Sequence, residues 1–181
     1  MFKKEIYSLL LFSFGLLFTC CGESATDDEE KDNNGQGSVS VETNYLPIAD
    51  PYVMFYNNKY YAYGTGGTTA GEGFACFSSD DLKNWKREGK ALTATDSYGT
   101  WGFWAPEVYY VESKKKFYLF YSAEEHICVA TSTTPEGPFR QEVKQPIWSE
   151  KSIDTSLFID DDGTPYLYFV RFTDGNVIWV A

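Results

Sequence analysis

Two aspartates stand at the heads of similar segments, and their placement raises the chemical question. Asp50 opens DPYVMFYNNKYYAYGTG, residues 50–66, and Asp154 opens DTSLFIDDDGTPYLYFVRF, residues 154–172. A third segment of the same pattern, APEVYYVESKKKFYLFYSA, residues 105–123, carries Pro106-Glu107 at its start. Two carboxyl groups brought to one scissile bond can divide a hydrolysis between them. One takes a proton from the attacking water, and the other takes part in protonating the leaving group. An Asp-Pro dipeptide such as Asp50-Pro51 is also ordinary turn material. What decides between these readings is whether the fold brings the carboxylates together.

From Tyr45 onward the chain reads as all-β, with aromatic and β-branched residues alternating in short runs broken by Gly, Asn, Asp and Pro. Each of the three segments reads as a hairpin, with turns at Asn57-Asn58, Ser113–Lys115 and Asp162-Gly163. After the first two hairpins the pattern predicts a third strand, Phe74–Ser79 and Ile127–Ser132. A polar corner follows each, SSDDLKNWKREG and TSTTPEGPFRQE. Equivalent openings fall at 51, 106 and 155, and a repeat of roughly 40–50 residues, each a small antiparallel sheet, is the mark of a β-propeller. A β-sandwich, which also uses many short strands, is the alternative. In a propeller the innermost strand of each blade lines a central channel, and the loops entering those strands gather at one end. Asp50, Pro106-Glu107 and Asp154 would then converge on one axial pocket, an arrangement suited to glycoside hydrolysis, in which a carboxyl pair flanks the bond. The third blade stops at NVIWVA, inside its own third strand. The expectation is therefore two and a half to three blades from the amino-terminal part of a longer chain.

Four motifs, in order, carry a family resemblance: Ala49-Asp50-Pro51-Tyr52-Val53; Phe103-Trp104-Ala105-Pro106-Glu107-Val108; Ala130-Thr131-Ser132 with Pro135-Glu136-Gly137-Pro138-Phe139; and Ile153-Asp154-Thr155-Ser156-Leu157-Phe158. Together they resemble glycoside hydrolase family 43 across residues 45–181. The resemblance implies a five-bladed propeller that hydrolyses arabinose- or xylose-containing glycans with inversion. It implies Asp50 as general base and Asp154 as the second aspartate, which raises the pKa of the acid by like-charge proximity. The acid it implies is a glutamate in a later blade, beyond Ala181, so the 181-residue chain is expected to lack activity alone. Glu136, though followed by Gly137-Pro138, matches a structural segment of the second blade. Two rivals are a carbohydrate-binding propeller without catalysis and a fructan-acting propeller hydrolase. The latter usually opens with Asn-Asp-Pro-Asn-Gly, where this chain has Ala49 and Tyr52 flanking the pair.

Among the other side chains, Trp104 and Phe103 are candidates for stacking on a sugar face, with core packing as the alternative for both. Glu107 is expected to be structural, and Trp85 to be an outer-strand core residue. Asp160-Asp161-Asp162-Gly163 lacks the alternating oxygen ligands of a calcium loop and reads as a charged hairpin turn. His126, the single histidine, precedes a strand, and no motif gives it a metal. No metal site and no cofactor are expected. Cys76 and Cys128 lie in apolar runs and read as buried thiols, with a disulfide as the alternative.

The first 21 residues read as a lipoprotein signal. Lys3 and Lys4 precede an apolar run, Ile6 to Phe18, too short to span a bilayer, and Leu17-Phe18-Thr19-Cys20-Cys21-Gly22 resembles a lipobox with lipidation at Cys20 or Cys21. Residues 22–44 hold seven acidic residues and one lysine, a composition that reads as a disordered tether. Its acidic start resembles the surface-export signal of Bacteroidetes-type lipoproteins. The expectation is a monomer, lipid-anchored in a bacterial cell envelope, at the outer membrane facing outside or in the periplasm. The formal net charge of −11 excludes the basic surface that nucleic acid requires.

Overall fold

The structure, a computed structural model, describes residues 42–43, 45–66, 72–171, 173 and 175–181. The expected signal (1–21), the lipidation candidates Cys20 and Cys21, and the tether up to residue 41 lie outside the described residues. Eleven strands are assigned among the described residues. The first sheet contains β1 (Glu42–Thr43), β2 (Ile48–Tyr56), β3 (Lys59–Gly66), β4 (Gly73–Ser79) and β5 (Trp85–Thr93). The second contains β6 (Trp104–Val111), β7 (Lys116–Ala123) and β8 (His126–Ser132). The third contains β9 (Ile153–Ile159), β10 (Pro165–Arg171) and β11 (Val177–Val180). All three are antiparallel, in the orders β1-β5-β4-β3-β2, β6-β7-β8 and β9-β10-β11. This is the repeated meander of propeller blades, with β2, β6 and β9 as equivalent first strands. β6 packs on β2 and β3, and β9 packs on β6 and β7.

Local chemistry explains the hairpins. Asn57 and Asn58 both adopt positive φ (49° and 61°), the backbone of a two-residue turn whose twist matches the flanking strands. Glu124 and Glu125 do the same between β7 and β8 (50° and 61°), which the sequence does not advertise because glutamate is a poor residue for that turn. In the turn between β9 and β10, Asp160 Oδ1 accepts from the Asp161 amide (2.8 Å) and Asp162 Oδ1 from the Thr164 amide (2.8 Å). These carboxylates serve the turn itself.

Two boundaries differ from expectation. The first polar corner is shorter than its polar run, because Trp85 already begins β5. The chain reverses within residues 80–84, where Asp81 Oδ1 accepts from the amides of Lys83 (2.9 Å) and Asn84 (2.8 Å). Polarity misled here because β5 lies at the outer edge of its blade and exposes one face. Trp85 is buried, as an outer-strand core residue should be. The expected tether of residues 22–44 also ends early, since Glu42 and Thr43 pair with Lys86 and Trp85. A short strand there covers the free edge of β5, which would otherwise present unpaired backbone groups.

The main core lies between the first two blades. Tyr63, Phe74, Phe103, Phe117, Leu119, Tyr121, Cys128 and Phe139 are buried together. The corner after β8 closes it: the Phe139 amide donates to Ala91 O on β5 (2.7 Å), and the Tyr63 hydroxyl donates to Pro135 O (2.5 Å). Cys76 and Cys128 are both buried and free. Burial pushes the Cys128 thiol up to about 12 and the Cys76 thiol higher still. Both are therefore apolar packing groups at neutral pH.

Candidate active site

The first strand of every blade begins with the same irregularity. Asp50, Ala105 and Asp154 have φ of 45°, 43° and 56°, a left-handed backbone that costs an L-residue roughly 1–2 kcal/mol. Each opens a bulge in which two residues face one. Asp50-Pro51 lie opposite Gly64, Ala105-Pro106 opposite Tyr121, and Asp154-Thr155 opposite Phe169. Bulges bend a strand and re-aim a side chain, and here the device recurs in three successive blades. Blade 1 accommodates it through a glycine. A Cβ on Gly64 would meet Ala49 O at 2.5 Å and the Ile48 side chain at 2.9 Å.

The register identifies the blade-2 counterpart of the two aspartates as Ala105. Glu107, two residues on, corresponds to Tyr52 and Ser156. Its carboxylate accepts a hydrogen bond from Tyr109, whose hydroxyl in turn accepts the Leu157 amide of β9 (3.1 Å). Glu107 is thus part of a brace between blades 2 and 3. Burial, followed by the nearby Glu107, pushes the Tyr109 phenol up, so it remains a donor at neutral pH.

The two aspartates are linked through charge. The Asp154 carboxyl is pushed above its ordinary value, first by partial desolvation and then by the charge of Asp50. Asp154 as a residue is exposed, so the desolvation reflects protein packed around an open carboxyl rather than enclosure.

Two hydroxyls, neither of which the sequence singles out, fix the bulges. Thr65 Oγ1 donates to Asp50 Oδ2 (2.7 Å) and accepts the Ala105 amide (2.8 Å). In the next blade Ser122 Oγ accepts the Asp154 amide (3.1 Å). Thr65 pairs with Ala49 and Ser122 with Trp104, so the two occupy the same position of their blades. Each catches the bulge amide of the blade that follows. Because these contacts bridge residues 40 and 32 apart, only the repeat register could have pointed to them.

The aromatic candidates separate. Phe103 is only 3% exposed, stacked on Tyr121 (5.9 Å, 9°) and edge-on to Phe74. It is a core residue with no face for a sugar, which corrects the substrate-contact expectation. Trp104 is half-buried beside the bulge, with its ring over Gly102, where a Cβ would lie 3.2 Å from it. Its edge partner is Trp101 (6.1 Å), which is 51% exposed and was not picked out from sequence. The Trp101 loop is pinned by Glu124. The Glu124 amide donates to Trp101 O (3.1 Å), and its carboxylate accepts the Thr100 amide and hydroxyl (2.9 Å each). Those bonds hold the Glu124 carboxyl below its usual range.

The remaining candidates lie elsewhere. Glu136 sits in the corner that packs on Tyr61 and Tyr63, whose phenols are raised first by burial, with the charge of Glu136 adding to it. His126 pairs its Nδ1 with Glu124 O (2.8 Å) and lies edge-on to Tyr98.

Residues 46–181 match the sequence model for glycosyl hydrolases family 43. Among curated relatives, a β-D-galactofuranosidase of Aspergillus niger is 32% identical, covering 72% of this chain and 44% of its own length. A β-xylosidase of Xylanibacter ruminicola is 31% identical, covering 73% and 47%. A crystal structure of an endo-1,4-β-xylanase from Bacteroides thetaiotaomicron VPI-5482 is 98% identical and superposes with a TM-score of 0.74, covering 76% of this chain and 47% of that one. The chain spans about half the length of the relatives it matches.

Proposed function

The chain belongs to glycosyl hydrolase family 43, its fold is that family's five-bladed type of β-propeller seen through three sheets, and from that premise we propose that it supplies the base side of an inverting glycosidase. The substrates are arabinose- or xylose-containing glycans. The observation that carries the proposal is the pair Asp50 and Asp154. They occupy equivalent positions of their first strands on the same kind of bulge, and the charge of Asp50 adds to desolvation in raising the Asp154 carboxyl. The xylanase and xylosidase names of matched relatives support the pentose assignment.

Asp50 is the general base. Thr65 occupies its Oδ2, which leaves Oδ1 to accept the proton of the water that attacks the anomeric carbon. Asp154 is the second carboxylate: like-charge proximity keeps the general acid protonated until the leaving group needs its proton. Inversion requires a base-to-acid separation of about 6.5–9.5 Å, room for one water. The family resemblance implies a glutamate of a later blade as the acid; Glu136 lies in the outer corner and Glu107 in the blade brace. Trp104, with Trp101 at its edge, offers an aromatic platform for a sugar face.

The test uses the full-length protein with 4-nitrophenyl α-L-arabinofuranoside, 4-nitrophenyl β-D-xyloside, arabinan and arabinoxylan. The parent is expected to hydrolyse at least one of them with inverted anomeric configuration by NMR. Asp50→Asn should lower kcat by on the order of 10³-fold or more while glycan binding survives. Near-normal turnover by Asp50→Asn would sink the assignment. Glycan binding with no turnover by the parent would instead favour a non-catalytic propeller.

A further inference from the structure

We propose that Thr65 is the positioning residue of the base, aligning the Asp50 carboxylate through a hydrogen-bond relay that starts in the neighbouring blade. The inference rests on the reading of Asp50 given above and adds a residue to it. Thr65 Oγ1 is 2.8 Å from the Ala105 amide and 2.7 Å from Asp50 Oδ2. An amide can only donate, so it occupies a lone pair of the hydroxyl. The hydroxyl proton is then directed at the carboxylate, which can only accept when ionised. The polarity of the relay is therefore fixed: Ala105 N–H to Thr65 O–H to Asp50 Oδ2.

Two consequences follow from this geometry. One carboxylate oxygen is tied, so rotation about the Asp50 side chain is restricted, and Oδ1 is the atom that meets water. In addition, the anchor of the relay is the bulge of blade 2, whose backbone is held by its own left-handed residue, Ala105 (φ 43°). The base on blade 1 is thereby registered against a neighbouring blade as well as its own strand. Ser122 occupies the matching position in blade 2 and accepts the Asp154 amide, and among the described residues it donates to no carboxylate. The donation to Asp50 is thus specific to Thr65 and is more than the general way blades are joined. A base misplaced by a fraction of an ångström loses rate without losing substrate binding, which separates a positioning role from a structural one.

In the full-length protein, Thr65→Val keeps the shape and removes both bonds, and Thr65→Ser keeps both. On whichever glycoside the parent cleaves, Thr65→Val is expected to lower kcat about 10- to 100-fold with KM changed less than about twofold. Thr65→Ser should stay within about threefold of the parent in kcat. Thr65→Ala serves where valine perturbs packing, with the same expected loss, and thermal unfolding is followed for every variant. Normal kcat in Thr65→Val, a loss confined to KM, or a loss in Thr65→Ser as large as in Thr65→Val would overturn the proposal. So would failure of both Thr65→Val and Thr65→Ala to unfold cooperatively, since Thr65 would then belong to the blade interface alone. If Asp50→Asn is inactive while Thr65→Val is normal, only the positioning role falls. If Asp50→Asn is active, the base assignment falls with it.

Discussion

At the scale of single residues, the two aspartates share a backbone shape but differ in surroundings. Asp50 has a hydroxyl donor on one oxygen, whereas Asp154 has partial desolvation and a like charge. That difference makes a stability prediction with a definite sign. The folded state holds the Asp154 pKa above its ordinary 3.8, so folding favours the protonated form. The penalty is absent below the unfolded value and develops as pH rises through the folded one. Asp154→Asn is therefore expected to raise Tm at pH 7, by a small amount because solvent screens an exposed carboxyl. The gain over the parent should shrink to nothing below about pH 4. An equal or lower Tm at pH 7, measured by calorimetry across that range, would show that the charge carries no folding cost.

At the scale of the elements, the bulge is the unit that matters, and Gly64 is the residue that permits it in blade 1. Alanine there would drive a Cβ against Ala49 O, 2.5 Å away, and against Ile48. The backbone that presents Asp50 would have to move. Gly64→Ala is expected to cost about 1–3 kcal/mol of stability, as overpacking does, and to lower kcat as well. Gly163→Ala is the comparison. Its φ of 85° makes alanine strained, but nothing lies within 4 Å of the new Cβ. That variant should lose about 1 kcal/mol and retain its activity. Equal activity in the two would mean that the Asp50 bulge tolerates displacement.

At the scale of the whole molecule, the first and third blades each carry exposed large apolar side chains among the described residues. On blade 1 the alternation of β2 half-buries Tyr52, Met54 and Tyr56 against the main core and leaves Val53 and Phe55 exposed. On blade 3, Phe158, Ile159, Tyr168, Ile178, Trp179 and Val180 are each exposed, divided between the two faces of the sheet because strand neighbours point opposite ways. Surfaces of this kind in a soluble domain mark interfaces or aggregation hazards. Residues 42–181 expressed alone are accordingly expected to bind the dye ANS and to self-associate at micromolar concentration. Dye binding that grows with concentration would mark these side chains as the associating surface. A monomeric, dye-free fragment would show that these faces need no cover.

The residues themselves determine much of this architecture, because alternation and turn chemistry act between near neighbours. Three hairpins, the 55- and 49-residue spacings and the equivalent placement of Asp50 and Asp154 are all legible in the sequence, since a period-2 strand followed by Asn-Asn or Asp-Gly has few other solutions. Local pattern did not distinguish Phe103 from Trp104. Adjacent residues of an extended chain point to opposite faces, and only the packed sheets show that Phe103 faces Tyr121 in the core while Trp104 and Trp101 stay accessible. Nor did it reveal that Glu42 and Thr43 add a strand to β5, because sheet edges form between distant segments. The relay on Asp50 belongs to the same class. Thr65 looks like the unremarkable end of a strand until blade 2 brings the Ala105 amide to it from 40 residues away. The sequence alone places Asp50 at the opening of its hairpin, and the tertiary structure decides which of its oxygens is held.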